Sequence, residues 1–228
     1  MLTETGSRRE IVDFYTKPNE SGVSLLEIWE NGDAMGDSVT PSTSSSEYRA
    51  WITDVILGER RGTARTQLLS LGCGNAMVEA RLAASGVEVL ATDLCEPAVA
   101  LARTKGLEAR VADIMSYQTS ESYDVVYMDG LLGHLYDPDH GIVPALTRAR
   151  GFLRPGGCVI ASNDAPPEGD SAPAPGVAGF SWLSSDFMRS EFVKAGFGPV
   201  QVHTFTYERP LSGPRTRAVV VAHFQGSV

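Results

Sequence analysis

Residues 68–93 read LLSLGCGNAMVEARLAASGVEVLATD. An apolar run enters a glycine turn, a helical pattern follows, and a second apolar run ends on an acid. Gly72 and Gly74 permit a tight turn and close approach of the backbone to a ligand, with a helix N-terminus behind them. A dinucleotide fingerprint asks for a third glycine at 77, where Met77 stands instead. Asp93 falls 19 residues after Gly74. That is the separation at which a carboxylate accepts hydrogen bonds from ribose hydroxyls. Two readings follow: a nucleotide-binding βαβ unit, or a glycine turn that only packs a helix on a strand.

Outward from this stretch, strands and helices alternate. Apolar runs at 67–71, 87–91, 108–112, 124–129 and 157–162 predict strands. Val78 and Leu82 before Gly86 predict a first helix, Pro97 and Gly106 bracket a second, and an apolar stripe from Ile142 to Leu153 predicts a third. Such alternation predicts an α/β fold with a parallel sheet covered on both faces. Residues 164–180, DAPPEGDSAPAPGVAGF, read as a long loop, and SSDFMRSEFVKAGF as a helix stopping at Gly196. Runs 199–208 and 217–224 close the chain as an antiparallel pair. Residues 1–66 lack strand patterning, predict helices near 8–16, 23–31 and 46–58, and carry the polar loop SVTPSTSSSE. The expected division is an N-terminal helical lid or substrate segment at 1–66 and a nucleotide-binding core at 67–228.

Composition narrows the partners. The net charge is -9 in 228 residues, which argues against nucleic acid, since phosphate binding needs clustered Lys and Arg. Arg8–Arg9 and Arg60–Arg61 read as solvated surface. No apolar run approaches the about 20 residues of a membrane span, and the N-terminus has no signal-peptide pattern. Cys73, Cys95 and Cys158 lack metal-ligand spacing and read as reduced core residues of a cytoplasmic protein. A homodimer is an open assembly state.

Several segments together resemble the class I S-adenosylmethionine-dependent methyltransferases of small-molecule type. LLSLGCGNA is similar to their first motif, VADI (111–114) to the segment after strand three, and YDVVYMDGLLGHLYD (123–137) to their strand-four motif. FLRPGGCVIAS (152–162) and FMRSEFVKAGF complete the order. The resemblance implies a doubly wound Rossmann-like fold: a seven-stranded, mostly parallel sheet with its last strand antiparallel and helices on both faces. It implies S-adenosyl-L-methionine as cofactor. Gly72 and Gly74 would approach the methionine and ribose, Asp93 would bind the ribose, Leu94 would cover adenine, and Asp113 and Ile114 would meet its edge. Met128 and Asp129 would meet the methionine moiety. Where the family often has an acid, two residues before its first glycine, this chain has Ser70, so Asp129 is the candidate to hold the ammonium.

The chemistry implied is methyl transfer to oxygen or nitrogen of a small molecule, with His134 as base, since histidine titrates near neutrality. His140 reads as helix-start surface, and His203 and His223 as structural. Tyr15, Trp29 and Trp182, with Tyr48, Trp51 and Phe180, are available to line an acceptor pocket. A catechol-type Mg²⁺ site from Asp129, Asn163 and Asp164 is set aside, because the Asn-Asp order is reversed. The layout is similar to enzymes of natural-product tailoring. The competing readings are a non-catalytic S-adenosylmethionine-binding protein and an NAD-dependent oxidoreductase.

Overall fold

The computed structural model describes residues 4–60, 66–177 and 179–226; Arg61 lies outside them. Seven strands form one sheet: β1 (Gln67–Leu71), β2 (Glu88–Asp93), β3 (Glu108–Val111), β4 (Tyr123–Asp129), β5 (Leu153–Asp164), β8 (Val200–Arg209) and β9 (Gly213–His223). Their order is β3-β2-β1-β4-β5-β9-β8. The first five are parallel, and β9 runs antiparallel to both neighbours. Strand order reverses between β1 and β4, and an open α/β sheet binds ligands outside the carboxyl ends at such a point.

Period-two alternation sends side chains to two apolar layers. On one face Leu68, Val125, Tyr127 and Ile160 pack under α4 (Ser46–Gly58), α5 (Met77–Ala84) and α6 (Glu96–Thr104). On the other, Leu69, Val126, Met128 and Val159 pack under α7 (Val143–Arg150) and α8 (Ser185–Lys194). Local signals set the helix starts: the Ser45 and Ser184 hydroxyls accept the amides of Tyr48 and Phe187, and Pro97 occupies the first turn of α6. The three cysteines are buried, and none of them forms a disulfide.

The structure departs from the sequence expectations in three places. The polar stretch before α4 holds a short helix, α3 (Pro41–Ser44). The Pro- and Gly-rich loop holds a strand, β6 (Ser171–Pro173), which pairs antiparallel with β7 (Ser181–Leu183) just beyond it. The stripe expected from Ile142 to Leu153 ends its helix at Arg150, because Leu153 already opens β5. The N-terminal helices α1 (Glu4–Thr16) and α2 (Leu25–Glu30) stand over the carboxyl ends of the strands, whereas α4 buries Tyr48, Ile52 and Ile56 on the sheet itself. Among the described residues, no helix is long and apolar enough to cross a membrane.

Candidate active site

A cavity of about 550 Å³ opens at the carboxyl ends of β1, β2 and β4, between the sheet and the N-terminal helices. One wall is the glycine turn. Gly72 and Gly74 have φ of 71° and 51°, the left-handed region that glycine adopts at least cost. A Cβ on Gly74 would meet nothing within 4 Å, so its backbone faces open space. Asp93 holds this turn in place. Its two oxygens accept the amides of Gly74 at 2.9 Å and Cys95 at 2.8 Å. Burial raises its pKa, while these amides pull the other way. Leu94, Asp113 and Ile114 line the same end. The Asp113 carboxylate accepts the Met115 amide at 2.9 Å and lies 2.9 Å from the Arg8 guanidinium of α1.

The floor carries two acids in opposite electrostatic states, Asp129 and Glu79. Asp129, at the end of β4, accepts from the Arg217 guanidinium and the Ser162 hydroxyl, and from Tyr48 at 3.3 Å. Against its desolvation, the Arg217 cation holds its carboxyl below the usual range. Arg217 is buried and also donates to Asp164 at 3.1 Å. Glu79 of α5 is only 3% exposed and accepts the Ser70 hydroxyl at 2.6 Å. Burial pushes its carboxyl up to about 7, against the Ser70 hydrogen bond. Next to Ser70 in the β1–β4 register is Tyr127, whose buried hydroxyl has no partner.

The opposite wall is aromatic. His134, in the turn after β4, meets Gly179 and Tyr15. The Gly179 carbonyl, 3.1 Å from Nδ1, can only accept, so Nδ1 carries the proton. That leaves Nε2 to accept the Tyr15 hydroxyl at 2.8 Å. Burial lowers the imidazole to about 4, which corrects the expectation of titration near neutrality. Around this pair, Trp29 lies 5.5 Å from the Tyr15 ring and Phe180 lies 4.8 Å from His134, centre to centre. Trp182 lines the cavity with its buried indole N–H unpaired and Arg215 over its ring at 4.0 Å.

Of the residues singled out in the sequence, Gly72, Gly74, Asp93, Leu94, Asp113, Ile114, Asp129, His134, Tyr15, Trp29 and Trp182 come together around this cavity. Met128 does not. Alternation along β4 turns it into the opposite layer, fully buried among core residues. Tyr48 lies under the cavity floor, and Trp51 packs outside it against Phe205. His140 lies at the rim, paired with Asp137 at 2.9 Å. Asn163 clamps the His134 turn to β7: it accepts the Gly133 amide and donates to the Ser181 carbonyl, both at 3.0 Å. Sequence reasoning missed Glu79, Tyr127 and Arg217. Glu79 follows Ser70 by nine residues, in the first helical turn, and that spacing is its one signal.

A family model for a methyltransferase domain matches residues 68–157. The tabtoxin biosynthesis enzyme of Pseudomonas amygdali pv. tabaci is 36% identical over 225 residues, covering 94% of this chain and 87% of that protein. Among solved structures, magnesium protoporphyrin IX methyltransferase from Synechocystis, with S-adenosylmethionine bound, aligns with a TM-score of 0.65 at 15% identity, over 94% of this chain and 96% of that one. The Burkholderia thailandensis 1,6-didemethyltoxoflavin-N1-methyltransferase aligns at 0.60 and 21% identity, over 78% and 77%.

Proposed function

The chain belongs to the class I S-adenosylmethionine-dependent methyltransferases, and we propose that it methylates oxygen or nitrogen of a small organic molecule in natural-product biosynthesis. The relative named for tabtoxin biosynthesis supports the biosynthetic setting. The observation that carries the acceptor class is the aromatic wall: a neutral imidazole, a phenol and an unpaired indole N–H share one cavity with the glycine turn. The net charge of -9 disfavours a nucleic-acid acceptor. Buried cysteines outside any disulfide suit a cytoplasmic enzyme.

The residues present fit S-adenosylmethionine. Gly74 offers open backbone, Asp93 a carboxylate at the end of β2, and Leu94, Asp113 and Ile114 an adenine-sized end. The cofactor supplies a methyl group already activated by a sulfonium, so the protein's work is alignment and proton removal. His134 suits proton removal. Its Nδ1–H is fixed on Gly179, so Nε2 presents a lone pair to the cavity. An acceptor hydroxyl would take the place that the Tyr15 hydroxyl now holds on Nε2. Because burial makes this imidazole a weak base, the proton would move as the new bond to carbon forms, when the acceptor oxygen becomes acidic. The Trp182 indole N–H is a donor free to orient an oxygen on the acceptor.

No metal enters this scheme, because the donors it would use are occupied. Asp129 and Asp164 face Arg217, and Asn163 is spent on the Gly133 and Ser181 backbone. The test is transfer of labelled methyl from S-adenosylmethionine to a panel of phenols, carboxylic acids and amines. Label should enter the small-molecule fraction, survive EDTA, and fall in His134→Ala. Transfer restored only by Mg²⁺ would overturn the metal-free scheme.

A further inference from the structure

Ser70 stands where an acid would be expected to hold the methionine ammonium, and the acid first in line to replace it, Asp129, is already neutralised by Arg217. Asp93 is engaged by the amides of its own turn. Glu79 is different. It lines the cavity, is buried, and has the Ser70 hydroxyl and its own amide as its hydrogen-bond partners, with no cation. Tyr127, the strand neighbour of Ser70, presents an unpaired buried hydroxyl on the same face. We propose that Glu79, oriented by Ser70 and flanked by Tyr127, is the anchor for the α-ammonium of S-adenosylmethionine. The carboxylate of the first motif has in effect moved from the strand to the helix behind it. This rests on S-adenosylmethionine being the ligand of the cavity.

The electrostatics agree. A buried carboxyl without a counter-charge holds its proton, and here it does so up to about pH 7. The groups facing it give no relief: Asp129 on β4 and Asp93 on β2 raise it further, and Cys73 and Tyr127 are themselves neutral, pushed up by burial. Arg217 on β9 is committed to Asp129 and Asp164. From α3, Ser42 and Thr43 line the cavity and carry no charge. An ammonium arriving here would release the Glu79 proton. Binding should therefore tighten as pH rises from 6 to 8.

Calorimetry with three ligands tests this on the whole protein. S-adenosylhomocysteine carries the ammonium; its deamino analogue lacks it; 5′-methylthioadenosine lacks the whole amino-acid end. Glu79→Gln should weaken S-adenosylhomocysteine roughly 10- to 100-fold and leave 5′-methylthioadenosine within about twofold, which also reports that the variant is folded. In the wild type, S-adenosylhomocysteine binding at pH 7 should release roughly half a proton, and the deamino analogue should release none. Equal losses for all three ligands, or no loss, would overturn the assignment to Glu79, as would proton release that persists with the deamino analogue. Wild-type protein binding none of the three would instead overturn S-adenosylmethionine as the ligand.

Discussion

Asp93 and His134 carry the residue-scale expectations. Removing a carboxylate that both shapes the turn and would accept ribose hydroxyls should cost about 1.5–3 kcal/mol of cofactor affinity. Calorimetry of Asp93→Ala with S-adenosylhomocysteine measures this, and unchanged affinity would remove Asp93 from the site. His134→Ala should lower kcat by ~10²–10⁴ with cofactor affinity nearly intact. Its pH signature follows from the buried ring. The imidazole is neutral above about pH 4, so the rate should show no His134-dependent inflection between pH 6 and 8. An inflection near 6.5 that disappears in the variant would contradict this. The sequence GLLGHLYD placed His134 past β4. It could not show that α1 and Phe180 would close over the ring and depress its pKa, because both come from remote segments.

At the scale of elements, the proposed function gives the β6–β7 hairpin the task of shaping the acceptor end. Gly133 lies under it: a Cβ there would come within 2.5 Å of the Phe180 ring and the Ser181 carbonyl. Gly133→Ala should push the hairpin off the cavity, destabilise the protein by about 1–3 kcal/mol, raise the acceptor KM and leave S-adenosylhomocysteine affinity within about twofold. A change in cofactor affinity with KM unchanged would show that the hairpin does not shape the acceptor end. This hairpin was invisible in the sequence. Its strands have three residues each, too short for a period to register, and they sit among Pro and Gly that signal loop. By contrast, β1, β2, β4 and their helices were legible, since glycine turns bracket long apolar runs. The side of the sheet taken by Met128 was also decidable in principle, because alternation from Asp129 fixes it.

For the whole molecule, Glu79 without a counter-charge predicts a conflict between stability and binding. Its carboxyl titrates near 4.5 when unfolded and about 7 when folded. Across that window the unfolded chain is ionised and the folded one still protonated, so folding loses stability as pH rises, by at most about 3 kcal/mol above pH 7. His134 works in the opposite sense. Its folded value of about 4 lies below the ordinary imidazole value of 6.5, so stability falls as pH drops through that interval. Unliganded Glu79→Gln should therefore melt higher than wild type at pH 8, with the gap shrinking toward pH 5. A gap independent of pH would contradict a neutral Glu79 in the folded state. The central claim is that one cavity holds the methyl donor on the glycine turn and delivers its methyl to an acceptor beside His134. The most direct measurement is a crystal structure with S-adenosylhomocysteine bound. The account predicts adenine among Leu94, Asp113 and Ile114, ribose hydroxyls on Asp93, and the sulfur directed at the His134–Tyr15 pair. Ligand bound elsewhere, or a sulfur turned away from His134, would contradict it.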